Sequence, residues 1–188
     1  YSITAGTAQA GSDYTPTSGT LNFAVGGPLT QTISVPVVGD LIVEATETAT
    51  LNLGTVTNTV GVTTVIDGSG LPTINDNDSA VVTFNPASVS QTEATSPIAF
   101  TVTLSNPVQS GVTLTLNSAT GTATAADFTP IIGATVTFAP NTSTGQTVNV
   151  VIANDALDED DETFTLTLSG LTAVGNVTLG SAVATGTI

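Results

Sequence analysis

Apolar and polar residues alternate one by one along much of this chain. The alternation puts Ile98, Phe100, Val102 and Leu104 on one face of a segment, and does the same for Val112, Leu114 and Leu116, for Val148, Val150 and Ile152, and for Phe164, Leu166 and Leu168. A period of two belongs to a strand with one buried face. Seven strands are predicted in the C-terminal part: Ala80 to Phe84, Ile98 to Leu104, Val112 to Asn117, Thr135 to Phe138, Gln146 to Ala153, Thr163 to Ser169 and Ser181 to Ile188. Pro, Gly and Asn separate them, and no segment carries a helical period. The pattern predicts an all-β fold, an immunoglobulin-like antiparallel β-sandwich.

The N-terminal part repeats the same unit. Ser12-Asp13-Tyr14-Thr15-Pro16 recurs as Ala126-Asp127-Phe128-Thr129-Pro130, and Gly19-Thr-Leu-Asn-Phe23 as Gly133-Ala-Thr-Val-Thr-Phe138. Asp40-Leu-Ile-Val-Glu44-Ala-Thr-Glu47-Thr aligns with Asp155-Ala-Leu-Asp-Glu159-Asp-Asp-Glu162-Thr. The period is about 115 residues, which divides the chain into a partial repeat over 1–78 and a second repeat over 79–188. Tyr1 aligns with Leu116, so the first two strands have no counterpart in repeat one, which is expected to carry strands three to seven. A longer tandem array accounts for this most simply. Strands supplied by a neighbouring chain, as in a fibre, are the alternative.

Charge then changes the picture. The 188 residues hold 15 Asp and Glu and no Lys, Arg or His, and six of those acids fall within the eight residues Asp155 to Glu162. A net charge of −15 excludes the cationic surface that nucleic acid or anionic lipid requires. No apolar run reaches the roughly eighteen residues of a membrane helix, so no direct membrane insertion is expected. Without Cys or His there is no thiolate or imidazole for metal binding or nucleophilic catalysis. A two-carboxylate glycosidase would need one acid in an apolar cleft, whereas these acids are crowded in polar loops, so no enzyme activity is expected.

If the strands alternate in direction, all but one of the 15 acids, Asp67, fall at one end of their unit. Solvation does not require such segregation, and mutual repulsion opposes it. Oxygen-only ligands drawn from several loops suit a hard cation of flexible geometry, calcium before magnesium.

The repeated motifs, together with Ile74-Asn-Asp76-Asn-Asp78, resemble the Calx-beta domain, the calcium-binding repeat of sodium-calcium exchangers, found also in long bacterial surface proteins. By position, the resemblance implies calcium ligands at Glu93, Asp127, Asp155, Asp158, Asp160, Asp161 and Glu162 in repeat two. In repeat one it implies Asp13, Asp40, Glu44, Glu47, Asp76 and Asp78. There Val43, Ala45 and Thr46 replace Asp158, Asp160 and Asp161, so fewer or weaker ions are expected.

Asp78 runs directly into Ser79, leaving almost no linker, and calcium beside that joint would restrict its bending. The expected function is a calcium-stiffened structural repeat of an extracellular or cell-surface adhesin or filament, whose partners are calcium ions, neighbouring repeats and neighbouring chains in a fibre. A calcium-sensing regulatory domain, or a carbohydrate- or ice-binding module built on the Thr-rich strands, are the alternatives.

Overall fold

A computed structural model describes residues 1–57, 61, 64, 65 and 67–188. These residues form thirteen strands and no helix: β1 (Ser2–Ala5), β2 (Glu47–Asn52), β3 (Ser69–Gly70), β4 (Thr73–Ile74), β5 (Ala80–Phe84), β6 (Ser88–Ser90), β7 (Ile98–Leu104), β8 (Val112–Thr120), β9 (Ala134–Phe138), β10 (Gln146–Val150), β11 (Thr163–Thr172), β12 (Val177–Leu179) and β13 (Val183–Thr187). They group into two compact units. Unit 1 comprises Tyr1–Asp40 and Thr46–Asp76, and unit 2 comprises Leu41–Ala45 and Asn77–Ile188.

Unit 2 is a β-sandwich. One sheet has the order β10-β7-β5-β12 and the other β6-β13-β11-β8-β9. The alternating residues do what their period requires. Ile98, Phe100, Val102 and Leu104 of β7 face Leu114, Leu116, Phe164, Leu166 and Leu168 of the second sheet in one buried cluster. Aromatic contacts run through it. Phe84 meets Phe100 edge-on at 6.3 Å between ring centroids, and Phe100 meets Phe164 in the same way at 6.1 Å. Phe164 in turn stacks on Phe128 at 4.6 Å. The solvent-facing positions of β8, β9, β11 and β13 are mostly threonines, whose branched side chains suit a pleated surface.

Two features depart from the alternation pattern. Short strands β6 and β12 join the sandwich at its edges, and both pair in parallel, β6 with β13 and β12 with β5. The sandwich thus has nine strands and is not wholly antiparallel. Three-residue pairings of this kind carry too little periodicity to be read from sequence. The fifth expected strand also ends early, at Val150, because Ile152 leaves the β7 ladder to bridge Phe128.

Unit 1 repeats only part of this plan. β1 pairs with β2, as β8 pairs with β11 in unit 2, and β3 and β4 also pair with β2. The counterparts of β9 and β10, residues 19–23 and 31–35, are not strands. The pairings in unit 2 explain why. β9 pairs with Val112 to Leu116, and β10 pairs with β7 alone, whereas among the described residues no strand pairs with the corresponding segments of unit 1. Lacking a ladder, these segments have nowhere to place their backbone hydrogen bonds as strands.

The core follows the same logic. Phe23 is 56% exposed where its counterpart Phe138 is 0% exposed, and Leu53 is 42% exposed where Leu168 is 2% exposed. Among the described residues, the core of unit 1 is Ala8, Tyr14 and Ala49, with Ile3, Val35 and Ile74 against them. The uncovered apolar side chains line a cleft of 680 Å³ bounded by Tyr1, Leu21, Phe23, Leu53, Val56 and Val65.

Candidate metal centre

The same loop geometry is built once in each unit, and glycine makes it possible. A Cβ on Gly121 would lie 2.5 Å from the carbonyl oxygen of Thr163, and a Cβ on Gly6 would lie 2.5 Å from that of Thr48. Only a residue without a side chain lets the two backbones approach so closely. The crossing is then closed by paired hydrogen bonds. Ala123 N–H donates to Thr163 O (3.0 Å) and Thr163 N–H to Thr122 Oγ1 (2.8 Å); in unit 1, Ala8 N–H donates to Thr48 O (2.9 Å) and Thr48 N–H to Thr7 Oγ1 (2.9 Å).

The loop that follows presents an aspartate. In unit 2, Asp127 Oδ2 accepts from the N–H (2.7 Å) and hydroxyl (2.9 Å) of Thr124, while its backbone carbonyl accepts from Ala153 N–H (2.8 Å). In unit 1, Asp13 Oδ2 accepts from Gln9 N–H (2.6 Å), and its carbonyl accepts from Val38 N–H (2.9 Å). The next residue anchors each loop, since Phe128 and Tyr14 are both buried.

Around Asp127 the structure gathers two groups of carboxylates. One consists of Asp127, Glu159 and Glu162, the other of Glu93, Asp155 and Glu159, and within each group oxygens from all three side chains lie within 4.8 Å of one another. Glu159 belongs to both. In unit 1, carboxylate oxygens of Asp13 and Glu47 lie within the same 4.8 Å, and both residues are buried.

Crowding of like charges shows in the titration of these groups. Desolvation raises the pKa of Glu159 above 4.5, and the charges of Asp155, Asp127, Glu162 and Glu93 raise it further. Glu162 is raised by desolvation, by its hydrogen bond with Asp127, and by the charges of Asp127 and Glu93. Asp127 is lowered, chiefly by the backbone and side-chain hydrogen bonds from Thr124. Burial opposes ionisation of Asp13, but hydrogen bonds from Gln9 and with Ser12 and Glu47 outweigh it, and its pKa is lowered.

These residues fit a hard divalent cation. All the donors are carboxylate oxygens, and opposite ligands of one calcium stand about 5 Å apart at its usual bond lengths. A spread of up to 4.8 Å is within that span. No lysine, arginine or histidine exists to neutralise the groups.

Of the residues expected as ligands, Glu93, Asp127, Asp155 and Glu162 come together in unit 2, and Asp13 and Glu47 in unit 1. Asp158, Asp160 and Asp161 are exposed and lie outside the carboxylate groups of the described residues, as do Asp40, Asp76 and Asp78. Glu44 sits in Leu41–Ala45, a segment of unit 2, where its Oε1 accepts from Gln109 Nε2 at 3.1 Å. The sequence expectation omitted Glu159, the residue common to both groups. A signal for it existed in the Glu159-x-x-Glu162 spacing, which recurs as Glu44-x-x-Glu47.

Two all-β units, one of them a complete sandwich and each gathering acids around an aspartate-bearing loop, define a class of tandem acidic-loop β-repeats. Residues 1–67 and 75–188 match the Calx-beta domain, and the chain belongs to the Calx-beta family. Among solved structures, the apo-form Calx CBD1 domain is similar at 22% identity and a TM-score of 0.53, over 58% of this chain and 95% of that one. CBD12 from CALX1.2 is similar over 100% of this chain and 84% of that one, at 18% identity and a TM-score of 0.52. The calcium binding domain CBD12 of CALX1.1 matches over 57% of this chain and 44% of that one, at 20% identity and a TM-score of 0.50. No curated protein sequence matches the chain.

Proposed function

We propose that this chain is a calcium-binding structural segment of a long extracellular or cell-surface repeat protein, in which calcium bound at the acidic loops stiffens the chain for adhesion or filament formation. The observation that carries this reading is the pair of carboxylate groups sharing Glu159, in a protein with no positively charged side chain. Membership of the Calx-beta family, and likeness to the calcium binding domain CBD12 of CALX1.1, support the choice of ion.

Glu93, Asp127, Asp155, Glu159 and Glu162 would hold the ion in repeat two, and Asp13 and Glu47 are the ligands proposed for unit 1. Bound calcium supplies the positive charge that the chain lacks. The role of the protein is to hold the carboxylates. The Phe128–Phe164 stack and the Gly121–Thr163 crossing keep the Asp127 loop beside the start of β11, so that the acids stay gathered before any ion arrives. Preorganisation of this kind lowers the cost of binding.

Thermal unfolding of the whole chain in millimolar calcium and in excess chelator, with small-angle scattering of both samples, tests the proposal. Calcium should raise the unfolding temperature, by the linkage that stabilises any state binding a ligand, and should lengthen and stiffen the particle. Identical curves and identical scattering in the two conditions would overturn it.

A further inference from the structure

The apolar triplet Leu41-Ile42-Val43 stands in the acidic loop of repeat one, where repeat two has Ala156-Leu157-Asp158. It does not fold with the residues on either side of it. Leu41–Ala45 is an element of unit 2, although Asp40 and Thr46 belong to unit 1.

Within unit 2 the segment is held by an isolated bridge to the connection between β7 and β8. Val43 N–H donates to Pro107 O and Gln109 N–H to Val43 O, both at 2.9 Å, in a parallel bridge between Val43 and Val108. Both valines are 0% exposed. The seat is closed by Gly175, where a Cβ would lie 2.5 Å from Val43 Cγ1 and 2.7 Å from Glu44 O.

We propose that Pro107–Gln109, in the connection between β7 and β8, is a docking seat for an apolar strap, that Leu41–Ala45 is its occupant, and that Val43 is the residue that selects it. The bridge satisfies backbone groups on both sides, and the buried Val43 side chain supplies specificity. An acid in that position would be buried among Val108 and neighbouring apolar groups with no cationic side chain to pair with, at a cost that forbids seating. The loop of repeat two, with Asp158 at the equivalent place, therefore does not fit a seat of this kind. Repeat one has an apolar latch where repeat two has an acid, and the latch works without metal.

Amide hydrogen exchange on the full chain, in calcium and in excess chelator, reads the strap directly. The amides of Val43 and Gln109 should be protected in both conditions. Val43→Asp and Gly175→Ala should each speed their exchange by about tenfold or more while leaving the Ala123 amide, whose bond to Thr163 O lies elsewhere in the unit, unchanged. If Val43→Asp also exposes Ala123, Gly175→Ala decides alone, because it crowds the seat while leaving the sequence of the strap unchanged. Unprotected amides in the wild type, protection that appears only with calcium, or protection unaffected by Gly175→Ala would each overturn the proposal. Failure of calcium to bind would leave it standing, so the strap and the metal centre are separable.

Discussion

Phe128 stacks on Phe164 with ring centroids 4.6 Å apart and planes inclined by 21°. Phe128 directly follows Asp127, and Phe164 comes two residues after Glu162, so one aromatic contact in the core sets the spacing of two carboxylates at the surface. Removal of either ring should therefore act on the site as well as on stability. Phe128→Ala is expected to cost about 3–5 kcal/mol, as for a buried aromatic, and to weaken calcium binding although no ligand is changed. Denaturant unfolding and calorimetric calcium titration of the same variant check both effects.

Glu159 is shared by two carboxylate groups, whereas Asp160 is exposed and outside both. Glu159→Gln should lower calcium affinity by about tenfold or more, since it removes a charge from both groups. Asp160→Asn should change affinity by no more than about twofold. Calcium titration of the two variants side by side separates the gathered acids from the merely acidic loop.

The pH dependence of the metal-free protein follows from the raised pKa values of Glu159 and Glu162. An acid whose pKa is higher in the folded state than in the unfolded one favours folding while it is protonated. That contribution is present below the ordinary glutamate value of 4.5 and is lost as pH rises through the higher folded value. Asp127 and Asp13, with lowered values, act in the opposite sense and lose their contribution as pH falls below the ordinary aspartate value of 3.8. In chelator, the unfolding temperature of unit 2 should fall as pH rises from 4.5 toward neutrality, and Glu159→Gln should flatten that fall. Scanning calorimetry across this range, with and without the substitution, gives the comparison.

Phe23 and Phe138 are counterparts in the repeat, yet one is 56% exposed and the other 0% exposed. Phe138→Ala should destabilise unit 2 by about 3–5 kcal/mol, whereas Phe23→Ala should cost unit 1 well under about 1 kcal/mol. Chemical unfolding followed by unit-specific amide signals distinguishes the two losses.

Fold class and repeat are legible in the chain alone. Alternation with a period of two is a local property, and it placed β5, β7, β9 and β11 within a few residues of their observed starts. The recurrence of Asp13 as Asp127, and of Glu47 as Glu162, likewise needs no coordinates. Packing settled what depends on residues distant in the chain. β6 and β12 exist only because β13 and β5 offer them an edge, while residues 19–23 and 31–35 keep a strand pattern without forming strands, since among the described residues no strand pairs with them. Among six neighbouring acids, the turn after Asp155 brings Glu159 and Glu162 to Asp127 and leaves Asp158, Asp160 and Asp161 in solvent. The seating of Val43 against Val108 joins residues 65 positions apart through two backbone hydrogen bonds. Local pattern selects strands and loops because side-chain periodicity is encoded residue by residue. Which strand finds a partner, and which carboxylate faces another, is set by the packing of the whole unit.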